Sequence, residues 1–360
     1  MSIHPTAIVS PGARLGRGVE IGAYSFVGPN VVLGDGCKLH HHASIEGHTT
    51  LGEACEVFPQ AVLGAPPQDL KYDGERTTLE IGTHNIFREM VTAHPGTGNG
   101  GGVTRIGDHN LFLIGVHVAH DCRIGDHCII ANYVQFAGHV HVESHVNMGG
   151  HCAAHHFVTI GRHAFVGGMT RVSADVPPFM IVVAARGNRT EARMVNGVGL
   201  QRSGFTYEDI AALKDAYMRL FSRKARMSGT GIRERVQSIL NTTPLNPQVE
   251  YLANFLMRSF AHGRHGRYLE SLRADRVRRD TWRPHKAHQL TLNVVGEGTV
   301  RQVRGRTNES AGESVELHAT ARSGWGFSGW NGSLAGRENP MRIVLDEPKT
   351  VTATFVPNPV

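Results

Sequence analysis

"IGDHCIIANYVQFAGHVHVESHVNMGGHCAAHHFVTIGRHAFV", residues 124–166, carries an apolar residue at every sixth position: Ile124, Ile130, Phe136, Val142, Met148, Ala154, Ile160 and Val166. Neither the 3.6-residue period of a helix nor the alternation of a single strand produces this spacing. A parallel β-helix with three short faces does, with one inward residue per face. Its coil takes about eighteen residues and stacks on the next at roughly the 4.8 Å strand spacing. The register extends backwards through Ile106, Phe112 and Val118, and through Ile81, Phe87 and Ala93. It runs unbroken from Ile3 to Leu63 at the N-terminal end and stops at Val172. Glycine often follows the apolar residue, as at Gly16, Gly34, Gly107 and Gly125. Glycine and asparagine are expected to supply the tight or left-handed backbone at the corners.

Two segments interrupt the period, "GAPPQDLKYDGERTT" (64–78) and "HPGTGNGGGVT" (94–104). Rich in Pro, Gly and polar residues, they cannot lie within a coil and should loop outward, where a rigid scaffold commonly carries binding residues. Asp69 and Lys71 make the first loop the more suggestive. At "DVPPFMIVVAARGN" (175–188) consecutive prolines are expected to end the solenoid. Helical periodicity follows in "YEDIAALKDAYMRLFSRKA", "GIRERVQSILN" and "NPQVEYLANFLMRSFA". From Arg264 to His288 eight Lys and Arg residues face three acidic ones, which holds most of the net charge of +6 and reads as a solvated linker. The last stretch alternates polar and apolar residues between Gly-rich turns, as short antiparallel strands do. Trp325, Phe327 and Trp330 are expected to form its core. The expected organisation is therefore a β-helix over 1–187, a helical cap over 188–263, a basic linker over 264–288 and a small β domain over 289–360.

Five cysteines, Cys37, Cys55, Cys122, Cys128 and Cys152, form no CxxC pair and are odd in number, which argues against a disulfide framework or structural zinc. No secretory signal or membrane-length apolar run is present, so the expected compartment is the cytoplasm. Charge confined to one segment does not point to a nucleic-acid binder.

The chain holds 23 histidines, and the register sorts those of "GVHVAHDCRIGDHC" (115–128). Eighteen residues on from His120 lies Gly138, one coil above, with His139 beside it. His155 is expected close to the same corner on the next coil. His117, His120, His139 and His155 should thus gather on one edge, while His127 belongs to another. Such a cluster fits two chemistries: a three-His zinc site, or a general base oriented by the adjacent Asp121, with the Gly138 N–H as an oxyanion donor. No Glu or Cys completes a metal set, which favours the base.

"QDLKY" (68–72), "HVAHDC" (117–122), "AGHV" (137–140), "AAHHF" (153–157), "DVPPF" (175–179) and "GLQRSGF" (199–205) together resemble the acyl-carrier-protein–UDP-N-acetylglucosamine O-acyltransferases of lipid A biosynthesis. The resemblance covers residues 1 to about 263. It implies a left-handed β-helix assembled as a homotrimer, with active sites between subunits. It also implies transfer of an (R)-3-hydroxyacyl group from acyl carrier protein to the 3-hydroxyl of UDP-N-acetylglucosamine, without cofactor or metal. By position His120 is the implied general base, Asp121 its orienting partner and Gly138 the oxyanion donor. Gln68, Asp69, Lys71, His117, His139, His155, His156 and Arg202 are implied substrate contacts, and Gly168 the ruler of acyl length. The chain departs from the family pattern at His156 (commonly Gln), Ser203 (commonly a second Arg), Pro95 (commonly Arg) and Arg171 (commonly small). "VVAARGNRT" is also longer than usual. The tail from 289 lies outside this resemblance and is similar to the internalin-type β repeat of bacterial surface proteins. Three other readings share the solenoid: an N-acyltransferase of acylated sugars, a zinc enzyme of carbonic-anhydrase type, and a non-catalytic His-rich scaffold. The first would need an N-terminal uridine-binding domain, for which hexads starting at Ile3 leave no room.

Overall fold

The computed structural model describes residues 1–185, 189–262, 266–272, 290–305, 313–345 and 349–358. The chain forms two compact units, Met1–Val277 and Arg278–Val360.

The first unit is a left-handed parallel β-helix whose three faces are sheets of eleven, nine and eight strands. Most strands are two residues long, and residues eighteen apart pair in parallel register, as in Val118 with Phe136, Ile124 with Val142 and Ile130 with Met148. The two interruptions leave this register intact. Leu63 pairs with Ala93 and Ala93 with Val118, so the extra residues bulge out between coils. Longer strands brace the roots of both loops, where Thr78–Ile81 lies between His48–Leu51 and Val103–Ile106. From Ile21 onward the inward row is almost wholly inaccessible, with Phe87 and Phe112 stacked at 5.0 Å. All five cysteines are free and buried, and burial pushes the thiols of Cys122 and Cys128 up to about 12.

The corners differ from the sequence expectation. The left-handed positions are held mostly by side-chain-bearing residues, among them Asp121 (φ 60°), His127 (φ 55°), His139 (φ 63°) and His145 (φ 63°). A non-glycine residue there costs roughly 1–2 kcal/mol, and ring stacking along the corner offsets part of that. His84, His109, His127, His145 and His163 form one ladder with ring centroids 4.7, 4.9, 4.9 and 4.5 Å apart. The glycines after the apolar residues serve close approach instead. A Cβ on Gly125 would lie 2.7 Å from the Ser144 backbone nitrogen, and one on Gly34 2.6 Å from that of Glu53.

Pro177 and Pro178 do not end the sheet. Met180–Ala185 adds in parallel to Phe165–Val166, then pairs antiparallel with Arg189–Val195. The missing proline donors fall at the corner, outside the ladder of hydrogen bonds. Among the described residues six α-helices follow: α1 (Gly197–Arg202), α2 (Tyr207–Phe221), α3 (Arg223–Arg226), α4 (Ile232–Leu240), α5 (Pro247–Met257) and α6 (Tyr268–Ser271). Thr206 caps α2 and Asn246 caps α5, which has Pro247 in its first turn. The cap is joined to the coils by polar contacts. Tyr251 donates to Glu143 at 2.8 Å, and the Arg162 guanidinium lies 3.6 Å over the Tyr251 ring.

The expected linker begins later than residue 264. The Arg267 guanidinium donates to the Ser173 carbonyl, the Tyr268 N–H to Asp175 Oδ2, and the Asp175 N–H to the Gly266 carbonyl. Residues 266–272 therefore pack on the last coil; residues 273–288 lie outside the described residues.

Among the described residues the second unit contains two three-stranded sheets. Their pairings are antiparallel except that Leu290–Val295 runs parallel to Lys349–Pro357, because intervening strands separate the two in sequence. Trp330 is buried with Val315, Leu317, Val351 and Phe355, and Trp325 and Phe327 pack against them. The aromatic hairpin is thus core.

Candidate active site

One corner of the solenoid carries His120 and Asp121, Gly138 and His139, and His156 and Phe157 on three successive coils. The second outward loop folds back over it. His120 and Asp121 are both buried, and the His120 Nδ1–H donates to Asp121 Oδ2 at 2.8 Å. With the proton on Nδ1, Nε2 keeps its lone pair, and it lies 3.8 Å from Asp69 Oδ2 of the first loop.

Asp121 is held from four directions. Thr97 gives its carboxylate two hydrogen bonds, from the backbone N–H at 3.0 Å and from the hydroxyl at 2.7 Å. The Asp121 N–H donates to the Thr104 hydroxyl at 2.7 Å, and His139 Nε2 lies 3.8 Å from Oδ2. Burial alone would raise the Asp121 carboxyl, but His120, Thr97 and His139 together outweigh it and hold the group below the usual carboxylate range. Asp121 is therefore an anion that fixes the His120 ring through Nδ1.

Gly138 lies directly over the His120 ring. A Cβ there would fall 2.4 Å from Cε1 and 2.6 Å from Nε2, so glycine alone fits. Its N–H donates to no carbonyl among the described residues. His117 shares a hydrogen bond of 2.8 Å with Thr92 and meets His94 edge-on. Burial, reinforced by His94 and His120, pushes His117 down to about 4, so it is neutral at pH 7.

In front of the dyad is a cleft of about 470 Å³, lined by Asp69, Lys71, Asp121, His139, Phe157 and Leu269 among others. Asp69 and Lys71 reach it from one tight turn, in which the Lys71 N–H donates to Asp69 Oδ1 at 3.0 Å. Gln68 is exposed. His139 stacks on Phe157 at 4.4 Å and meets His120 edge-on at 5.1 Å.

His155 sits apart from this group. His156, not His155, continues the His120–Gly138 column, and the His155 Nδ1–H donates to the His156 carbonyl at 3.2 Å. Within one chain Arg202 and Ser203 line a separate hollow of about 400 Å³ with His127, His145, His163 and Asn196. Gly168 is exposed at a further corner, over Gly150. The structure thus gathers His117, His120, Asp121, Gly138, His139, Asp69 and Lys71, and leaves Arg202 and Gly168 elsewhere. Thr97, Thr104, Gly100 and Leu269 were not foreseen. For Thr97, Gly100 and Thr104 the one signal was the Gly-rich interruption at 94–104.

The ligand atoms of His120, Asp121 and His139 fall within 4.8 Å of one another. Both Asp121 oxygens and His120 Nδ1 are already engaged within the chain, however, which suits an oriented base better than a metal set. Among the described residues no helix is long and apolar enough to cross a membrane.

The chain matches acyl-[acyl-carrier-protein]–UDP-N-acetylglucosamine O-acyltransferases of Xylella fastidiosa (45% identity, 71% of this chain and 94% of the relative) and Anaeromyxobacter dehalogenans (46%, 72% and 98%). The chain belongs to this O-acyltransferase family. The match leaves the β repeat uncovered and takes in the solenoid and cap of the acyltransferase almost whole. The family model for domain 2 of UDP-N-acetylglucosamine O-acyltransferase spans residues 175–264, and the bacterial transferase hexapeptide model spans 104–138. Residues 288–359 match the divergent InlB B-repeat domain. Solved structures agree. The UDP-N-acetylglucosamine acyltransferase of Arabidopsis is 35% identical with a TM-score of 0.64, covering 73% of this chain and 98% of that one. That of Francisella novicida is 31% identical with a TM-score of 0.66, covering 71% and 90%.

Proposed function

We propose that this acyltransferase moves an (R)-3-hydroxyacyl chain from acyl carrier protein to the 3-hydroxyl of UDP-N-acetylglucosamine, the first step of lipid A biosynthesis, with His120 as general base. The observation that carries the assignment is the buried His120 ring, oriented through Nδ1 by Asp121, which itself lines the cleft. Nε2 takes the proton of the sugar hydroxyl as its oxygen attacks the thioester carbonyl carbon. The tetrahedral oxyanion is received by the Gly138 N–H. Collapse breaks the carbon–sulfur bond, and the Nε2 proton passes to the departing thiol. Asp121 stays ionised and stabilises the transient imidazolium.

Asp69 Oδ2 lies 3.8 Å from Nε2, so two neighbouring sugar hydroxyls can donate one to each of these acceptors. Lys71 supplies a cation for the sugar-nucleotide phosphates, and Gln68, His117, His139, His155 and His156 supply further substrate contacts. Arg202, which lines its own hollow in the single chain, serves a neighbouring copy's cleft in a homotrimer, and Gly168 bounds the acyl chain. The reaction is cytoplasmic and needs no resident cofactor. The chain divides functionally into solenoid, cap, basic connection and β repeat, the last as a passive appended module.

The test is an acylation assay with UDP-N-acetylglucosamine and 3-hydroxyacyl carrier protein, comparing wild type with His120→Ala. Loss of about 10²–10⁴-fold in turnover is expected; activity persisting in the variant defeats the assignment.

A further inference from the structure

Two outward loops meet over the dyad, and their contacts run in one direction. In the first, Glu75 accepts from the Asp73 N–H through Oε2 at 2.8 Å, which folds the loop on itself. Through Oε1 the same carboxylate accepts from the Gly98 N–H of the second loop at 2.7 Å. Gly98 follows Thr97, whose N–H and hydroxyl both bind Asp121. The second loop then turns tightly, with the Gly100 and Gly102 N–H groups both donating to the Thr97 carbonyl at 3.0 and 2.8 Å. A Cβ at Gly100 would fall 2.0 Å from the Asp121 Cγ, so the loop backbone closes directly on the carboxylate. Thr97 is only 2% exposed.

We propose that Thr97 is a positioning residue for the His120–Asp121 pair, and that Glu75 locks its loop to the one carrying Asp69 and Lys71, so that base and sugar contacts are set as a single unit. The inference rests on the reading of His120 as base. Asp121 Oδ2 accepts from both the Thr97 hydroxyl and His120 Nδ1. The hydroxyl therefore fixes where that oxygen sits and shares its negative charge. Without it the carboxylate keeps the Thr97 N–H and His120 as partners, is held less firmly about its Cβ–Cγ bond, and presents more charge to His120. Ring misplacement of this order costs up to about 10²-fold in rate. The extra charge favours the imidazolium, so the titration of His120 moves upward. His139, His117, His156, His141, Asp69, Lys71, Glu75 and Arg123 are the other charged or titratable groups around the His120–Asp121 pair, and all of them are retained when Thr97 alone is changed.

The experiment compares Thr97→Val, Thr97→Ser and Glu75→Gln in the full chain. Thr97→Val is expected to lower kcat by roughly 10–100-fold with KM for UDP-N-acetylglucosamine little changed. The acid limb of its kcat–pH profile, and the His120 ring titration followed by NMR, should shift to higher pH. Thr97→Ser, which keeps the hydroxyl, should restore kcat and the titration. Glu75→Gln leaves one good acceptor for two N–H donors and should raise KM for the sugar nucleotide and lower kcat together. A Thr97→Val enzyme with unchanged kcat and titration overturns the proposal, as does Thr97→Ser as impaired as Thr97→Val. Should the Val variant not fold, an impaired Thr97→Ser, or a Glu75→Gln enzyme with unchanged KM and kcat, still overturns it. Failure here, with His120→Ala inactive, leaves the base assignment standing; an active His120→Ala removes both.

Discussion

Replacing Gly138 by alanine should cost about two orders of magnitude in turnover while leaving the fold intact. The added Cβ would lie 2.4 Å from His120 Cε1 and 2.6 Å from Nε2. Ordinary carbon contacts begin near 3.5 Å, so the ring must withdraw by about 1 Å. That withdrawal pulls Nδ1 against a 2.8 Å hydrogen bond to an aspartate itself fixed by Thr97 and Thr104. A displacement of about 1 Å at a reacting group is worth up to ~10²-fold, or about 2.7 kcal/mol of barrier. Gly138 does not occupy the left-handed region, unlike His139 beside it, so the backbone itself accepts alanine without strain. Turnover of Gly138→Ala at saturating donor and acceptor, read beside its thermal midpoint, separates the two effects. A variant with an unchanged midpoint that works within a few-fold of wild type would refute the packing of glycine on the base as the reason for glycine at 138.

Four further outcomes follow from the same geometry. His163 and His117 are pushed down to about 4, chiefly by burial, so the unfolded chain binds protons there that the folded chain does not. Stability is complete above about pH 6.5 and declines as pH falls towards 4. Urea midpoints measured from pH 7.5 to 5 check this, and His163→Asn, which tolerates the left-handed corner, should flatten the slope. Asp175 accepts from the Thr159 and Tyr268 N–H groups and the Ser259 hydroxyl. Its replacement by alanine should lower stability by about 1–3 kcal/mol and expose the 266–272 segment to faster amide exchange. Gly168→Met should shift donor preference to shorter chains in a mixed acyl-donor assay, and an unchanged preference would sink its role as ruler. Dialysis against a strong chelator should leave turnover unaltered, because the donor atoms around Asp121 are satisfied within the chain; loss of activity restored by zinc would reverse that reading.

The solenoid was legible because its physics is one-dimensional. A buried apolar residue every sixth position satisfies each face in turn, and the eighteen-residue coil follows, so His120 and Gly138 stack without any knowledge of distant contacts. The same arithmetic separated His127 from His120. It misplaced His155, since the column runs through His156, and it assigned the left-handed corners to glycine. Stacked side chains on neighbouring coils, His109 on His127 on His145, offset part of the strain of those corners. That compensation exists only once the coils are in register.

The periodic sequence by itself therefore determined the β-helix, its coil register and the stacking of Gly138 over His120. Only the tertiary structure decided how the two outward loops return, which puts Asp69 3.8 Å from His120 Nε2 and Thr97 against Asp121, and how residues 266–272 pack to bring Leu269 to the cleft. Loop paths are set by a few specific hydrogen bonds, such as Glu75 to Gly98 and Thr97 to Asp121. Contacts of that kind carry no period, so no spacing in the chain announces them.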